Sequence, residues 1–397
     1  MSTLHTIQLE RALNGTLADE FARRVYFASR NIVDFEFVVE DRGVTGVTVR
    51  TDTPEATENL ARKLNVILQN DVLTQLGRDA KVIWRSAEDR AIAPGTFEDL
   101  VAEGIAFEAG EGQIALGEPV LGLMDDLDRT VRDFVVQEMH GREYRYPTLI
   151  PAKTLYRCGY LTSFPQYVMF VTRLHSDIDV YQDFLARTKS AGGLDAQLLE
   201  SCREVDYCLP PTMCYHTFHQ FADGSLPDGV SVVTSRGKSF RHEEKYRKGL
   251  ERLWDFTIRE VVFVGSREQV LADRERLMDR LLGLADEMGL VGRCEVANDP
   301  FFGNTDGALR STSQRLLELK YELRLDVGAG ETIAVGSFNF HEQMFAEAFA
   351  LQGTAGEPVY TACAGFGLER FAYALVCQYG ADPQKWPERV RAALGRS

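Results

Sequence analysis

The chain has 397 residues, 45% of them hydrophobic and 26% charged, an ordinary globular make-up that suits two domains, one of them large. No apolar run approaches the roughly 18–20 residues of a membrane span, and MSTLHTIQLERALNG has no basic stretch leading into an apolar core, so neither an anchor nor a secretory signal is expected. A net charge of −15 gives no general attraction to nucleic acid, and seven cysteines without regular spacing fit a reducing cytoplasm better than a disulfide framework.

Residues 1–88 read as a small N-terminal α/β domain. Leu17 to Ala28 is helix-like, and Val33–Glu40 and Val44–Thr51 are β-rich runs flanking a hairpin signal at Asp41-Arg42-Gly43. Pro54 to Leu76 has apolar residues at helical spacing, Leu60, Leu64, Ile67 and Leu68 among them, and Lys81 to Trp84 adds a strand. Pro94-Gly95 marks the linker. Residues 96–397 form one larger unit. Ile105 to Pro119 predicts a hairpin and Gly122 to Met139 a helix. Strands follow near 144–150, 166–172, 212–221, 230–240, 255–264, 318–327, 332–339 and 357–363, with helices at 176–190, 266–288 and 371–379. Strands at hairpin separations, with helices gathered elsewhere, predict an α+β fold with a mainly antiparallel sheet.

Two segments carry chemistry. Thr361 to Leu375, TACAGFGLERFAYAL, places Gly365, Gly367, Glu369 and Arg370 ahead of a helical pattern. Glycines let a backbone pass close to a ligand, and the arginine can fork onto phosphate or lie on a purine. Earlier, Phe240-Arg241-His242-Glu243 is followed by a charged loop and then GLERLWDFTIREVVFVG, read as strand, loop, strand. Arg252 and Phe256 fall on one face of the second strand by alternation. By itself this pattern serves equally an exposed hairpin with a salt-bridged tip.

Arg-x-Glu, a loop, then Arg-x-x-x-Phe resembles motif 2 of class II aminoacyl-tRNA synthetases, and GFGLER resembles motif 3, over roughly residues 120–397. LKYELRLDV and the Asn339 of SFNFHEQMF resemble segments of seryl-tRNA synthetases. The resemblance implies a class II synthetase-like antiparallel sheet. It also implies an adenylate-forming enzyme in which Arg241 binds the α-phosphate, Phe256 stacks on adenine, and Arg370 covers the other face and reaches the γ-phosphate. Arg252, Asn339, Gly365 and Gly367 complete its cofactor-binding set. In motif 1, GREYRYPTLIP has Thr148 where a proline is expected, and a homodimer is still implied. The metal-binding Glu of seryl enzymes corresponds here to Ile333, so Glu331 or Glu322 would have to serve the Mg²⁺ that accompanies ATP.

The cysteines narrow the resemblance. Methanogen-type seryl enzymes and the amino acid:[carrier protein] ligases hold Zn²⁺ with Cys, a motif-2 Glu and a Cys before motif 3. Cys214, Glu243 and Cys363 match that set and leave a fourth position open for an amino group. The alternative is that both cysteines are small buried apolar side chains. His216, His219, His242 and His341 are ligand types but read as structural. Glu260 either touches substrate or pairs with an arginine. Only Glu244 to Lys248 separates Glu243 from GLER, REVVFVG resembles the carrier-protein ligases, and the long coiled-coil arm that grips tRNA is missing. The implied reaction is ATP-dependent activation of a small amino acid and transfer to the phosphopantetheine thiol of a carrier protein. The N-terminal domain, absent from those ligases, keeps serine transfer to tRNA as an alternative. A non-catalytic amino-acid- or nucleotide-binding paralogue is another.

Overall fold

A computed structural model describes residues 2–22, 24–41, 43–73, 81–90, 92, 97–191, 200–203, 205–226, 230–243, 249–299, 317–353 and 356–394. The Pro94-Gly95 linker and the 244–248 loop lie outside them. Among the described residues no helix is long and apolar enough to cross a membrane.

The chain opens with β1 (Thr3–Leu13), β2 (Ile32–Glu40) and β3 (Gly43–Thr51), which form an antiparallel sheet in the order β1-β3-β2. The hairpin between β2 and β3 closes at Glu40↔Gly43. Gly43 has φ 106°, and a Cβ there would lie 2.3 Å from the Leu13 carbonyl oxygen, so only glycine fits this turn. The helix Thr57–Ile67 seals the core through Leu60 and Leu64, which pack with Phe21, Val47 and Val49. β1 was not foreseen, although His5 and Ile7 are buried at the alternation a strand requires.

Next come β4 (Val82–Arg85), the hairpin β5 (Ala106–Gly110) and β6 (Gln113–Leu116), and the short strands β7 (Arg142–Glu143), β8 (Ile150–Pro151), β9 (Phe170–Val171) and β10 (Tyr207–Cys208). The long strands are β11 (Val232–Phe240), β12 (Asp255–Gly265), β13 (Gly292–Val296), β14 (Lys320–Gly328), β15 (Glu331–Glu342) and β16 (Tyr360–Gly367). Eight strands form one sheet in the order β4-β13-β14-β15-β16-β12-β11-β7. All its pairs are antiparallel except β11 with β7. This is the expected α+β class II synthetase fold. β4, read with the N-terminal unit, hydrogen-bonds to β13 in the large sheet.

Each strand alternates its side chains between two cores. Val261 and Phe263 of β12 pack under the helices Val120–Asp133, Arg267–Glu287 and Leu368–Tyr379. Val262 and Val264 face the opposite way, toward Tyr215, Phe218 and Phe345. Three readings differ: 144–150 is strand only from Ile150, 166–172 is strand only at Phe170–Val171 after a 3-10 turn at Pro165–Tyr167, and within 212–221 the structure has a helix, Cys214–Gln220. Cys214, Phe218 and Phe221 recur at helical spacing and all are buried, so packing on the sheet overrides the β-propensity of the local residues.

Candidate active site

The face of the large sheet toward the Cys214 helix carries the site. Two rows of paired residues cross it. One runs Ser337, Gly365, Glu260, Ser235, and the next runs Asn339, Cys363, Val262, Val233. The alternation that buries Val262 beside Cys363 also aims Glu260 onto this face. A Cβ on Gly365 would press on Ile258 Cδ1 at 3.0 Å and meet Glu260 Oε1 at an ordinary 3.7 Å, so the glycine gives room chiefly to Ile258.

Cys214, at the start of its helix, drops onto this face. Its sulfur, Cys363 Sγ and a Glu260 carboxylate oxygen all lie within 4.8 Å of one another, and all three residues are buried. Glu260 Oε2 accepts from Met213 N at 3.0 Å and from the Thr212 hydroxyl, which fixes the carboxylate. Burial pushes the Cys214 thiol well above its ordinary range, and Cys363 and Glu260 add to the effect. The hydrogen bond from Cys214 favours a thiolate at Cys363, yet burial and Glu260 carry that thiol upward as well. Two thiols and an oriented carboxylate are a donor set that suits a divalent ion of zinc type, one ligand short of a tetrahedral four.

Glu243 does not belong to this group, which corrects the expected ligand set. Glu260 pairs with Ser235 in mid-strand, whereas Glu243 lies beyond Phe240 at the end of β11. Ser235 to Phe240 alone spans roughly 17 Å at about 3.3 Å per residue. Glu243 instead faces Arg252 at 3.5 Å. The signal for Glu260 was present, since a carboxylate alternating with apolar residues in a buried strand needs a partner on its own face.

The second cluster gathers at the strand ends. Arg241 continues the ladder through its N–H to the Trp254 carbonyl at 3.0 Å. Its Nε donates to the Pro211 carbonyl at 3.1 Å, and its guanidinium lies 5.4 Å from the centre of the Phe256 ring. Arg252 lies in the irregular stretch between the Gly249–Glu251 turn and β12, not on the strand with Phe256 as read from alternation. Arg370 donates to the Ala334 carbonyl at 3.4 Å. Glu369 beside it accepts the Thr257 N–H at 2.8 Å on both carboxylate oxygens, which ties the start of this helix to β12. Burial, and then the charges of Arg252 and Arg241, pull Arg370 down to about 10. At Arg241 burial opposes the charge, but Tyr160 and Glu243 outweigh it and hold the group above its ordinary value. The arginines therefore feel one another's fields, an arrangement that favours a polyanion.

Asn339, expected at the nucleotide, lies against the cysteine group, its Nδ2 3.6 Å from Cys363 Sγ. Gly367 continues the face beyond Gly365, and a Cβ there would meet Arg370 only at an ordinary contact distance of 3.9 Å. Ile333 is buried in the core because β14 and β15 shift register between Leu323 and Arg324, leaving Val335 unpaired and reversing the alternation. Glu331 sits at the far turn, opposite Gly328. Glu322 faces Ser337 and is held by Lys320 Nζ at 3.1 Å and Arg324 Nη1 at 3.0 Å. Thr212, Tyr160, Tyr167, Lys320 and Asp299 surround the site and were not anticipated; only tertiary packing brings them there. Lys320 pairs with Asp299 at 2.7 Å.

No family model matches this chain. It is 36% identical over 261 residues to the amino acid–[acyl-carrier-protein] ligase 2 of Bradyrhizobium diazoefficiens, covering 65% of this chain and 76% of that protein. It is 29% identical over 301 residues to the type-2 serine–tRNA ligase of Methanococcus aeolicus, covering 72% of this chain and 56% of that protein. Among solved structures, the seryl-tRNA synthetase of M. kandleri, in complex with tRNASec of A. aeolicus, superposes with a TM-score of 0.71 over 98% of this chain and 77% of that one, at 24% identity. A carrier-protein ligase matched at this identity over three quarters of its length, on this fold, shows that the chain belongs to the class II aminoacyl ligases, in the group of the amino acid–[carrier protein] ligases and type-2 seryl enzymes.

Proposed function

We propose that this protein activates a small amino acid with ATP as the aminoacyl-adenylate and passes it to the phosphopantetheine thiol of a carrier protein. The observation that carries this reading is the shared sheet face, with the Cys214–Glu260–Cys363 group in its interior and Arg241, Arg252 and Arg370 at its strand ends. Attack of a carboxylate on the α-phosphorus needs alignment and neutralised charge more than a protein nucleophile. Arg241 holds the α-phosphate, Phe256 supports adenine, and Arg370 reaches the γ-phosphate. Cys214, Glu260 and Cys363 would hold a zinc ion, which when bound claims the α-amine and so selects α-amino acids. Magnesium accompanies ATP.

Three features support a carrier protein as acceptor. The 36% identical relative is named for that activity, the connection from Glu243 to GLER is only Glu244 to Lys248, and Glu260 lies in the REVVFVG run. The N-terminal sheet then serves partner recognition. Serine transfer to tRNA is the second reading, favoured by the 29% identity to a type-2 serine–tRNA ligase over 72% of this chain.

An amino-acid screen by ATP–pyrophosphate exchange, with zinc measured on the same preparation, tests the activation step. Labelled transfer to a phosphopantetheinylated carrier protein and to tRNA then tests the acceptor. Exchange with one or two small amino acids and label on the carrier thiol are expected. Label on tRNA alone would favour the second reading, and no exchange with any amino acid would overturn both.

A further inference from the structure

His341 lies outside the Cys–Glu–Cys group yet is bound to it. Its Nε2 is 3.5 Å from Cys363 Sγ, and its Nδ1 is 3.2 Å from Thr361 Oγ1. Thr361 and Cys363 stand two residues apart on β16, so both project from the same face, and the imidazole spans them. The ring is pinned edge-on by Phe345, at 4.6 Å between centroids, and by Phe218, at 6.1 Å. Thr361 and Phe218 are completely buried, so neither water nor a rotamer change easily replaces these contacts. Asn339 adds a second donor to the same sulfur.

The chemistry of the donors fixes the protons. A sulfur bound to a metal is a thiolate, with lone pairs and no hydrogen, so Nε2 must carry the hydrogen and donate it. In the neutral ring Nδ1 is then an acceptor, and the Thr361 hydroxyl is its donor. We infer that Thr361 and His341 form a hydrogen-bonded relay that orients Cys363 and withdraws charge from its sulfur, making it the weaker of the two thiolate donors. This rests on the zinc reading given above. A less donating sulfur leaves more positive charge on the ion for a neutral amine in the fourth position. His341 is a positioning residue that acts through Cys363 and touches no reacting atom.

The test uses the full-length protein, stripped with a chelator and reloaded with cobalt(II), whose thiolate charge-transfer band reports the sulfur directly. In His341→Phe that band should move to longer wavelength, and because Cys363 loses the contact that orients it, competition with a chromophoric chelator should show metal held about 10–100-fold more weakly despite the richer sulfur. Thr361→Val keeps the shape and removes only the hydroxyl, so it should give a smaller shift in the same direction. Bands and retention equal to the parent in both variants would overturn the relay while leaving the metal reading intact. So would weaker retention and a lower melting temperature with the bands unmoved, the sign of a merely structural ring. Failure of the parent itself to take up cobalt would overturn the metal reading and the relay with it.

Discussion

Cys363 and Glu260 lie in the interior of two neighbouring strands, whereas Arg241, Arg252 and Glu243 lie beyond strand ends. The interior pair is fixed by ladder hydrogen bonds on both sides, and Cys214 joins it from a buried helix. In the strand-end cluster only Arg241 keeps one ladder bond, to Trp254, and the side chains are placed by their own contacts: Arg252 on Glu243, Arg241 on Phe256, Arg370 on a carbonyl. Like charges are gathered there by burial and relieved only partly by Glu243 and Glu322. The interior group is therefore built to fix geometry, and the strand-end group to gain from the arrival of a multiply charged ligand.

The sharpest way to separate the two ends is Arg241→Ala. It should lower amino-acid-dependent pyrophosphate exchange by about 10²–10³-fold, or about 2.7–4 kcal/mol, as loss of a donor to developing charge does elsewhere. Metal content should stay at the parent's level. An exchange rate like the parent's would break the assignment of the charged end.

Glu260→Gln against Glu243→Gln comes next. Glu260→Gln should weaken metal retention by at least about 100-fold, the upper range for a mere outer partner of a ligand. Glu243→Gln should retain the metal and instead lower the KM for ATP, because it removes the acid that offsets Arg252 and leaves the charged end more attractive to a polyanion. Equal metal loss in both variants would mean that Glu243 reaches the ion after all.

The smallest effect concerns the opposite face of β12. Arg259, adjacent to Glu260, forks onto Asp128 at 2.7 and 2.9 Å and reaches Glu143 at 2.9 Å, while Arg132 holds Glu143 at 2.6 Å. Burial pushes the Glu143 carboxyl up, but the hydrogen bonds and charges of Arg259 and Arg132 outweigh it and set the folded-state pKa below the ordinary value. A depressed folded pKa contributes stability above the unfolded value of about 4.3, lost as pH falls through the folded value. Thermal melts should therefore show Glu143→Gln destabilised relative to the parent near pH 7, with the gap closing in acid. A gap that stayed constant down to pH 3 would sink this account.

How much was legible in the chain follows from what kind of contact fixed each residue. The hairpins, most of the long strands and the main helices were readable because their periodicity is local, whereas β1 and β13 were missed. Cys214 and Cys363, the two thiols of the group, were singled out before any fold was known, and so was the arginine set. The Cys214 segment was misread as a strand because its aromatic residues favour that state locally and only packing reverses it. Ile333 drew attention as a departure, but the bulge that turns it into the core leaves no mark in the sequence.

The sequence by itself determined which chemistry was available: two thiols, several carboxylates, three guanidiniums and a glycine-bearing strand leading into a helix. It also determined the class of fold, because alternation and helical spacing are properties of neighbouring residues. Tertiary structure alone decided which carboxylate joins the thiols, since Glu243 and Glu260 are equally acidic and only strand pairing places one of them beside Cys363. It likewise decided that His341 would bridge Thr361 and Cys363, because that contact depends on the register of two strands and on the packing of two phenylalanine rings.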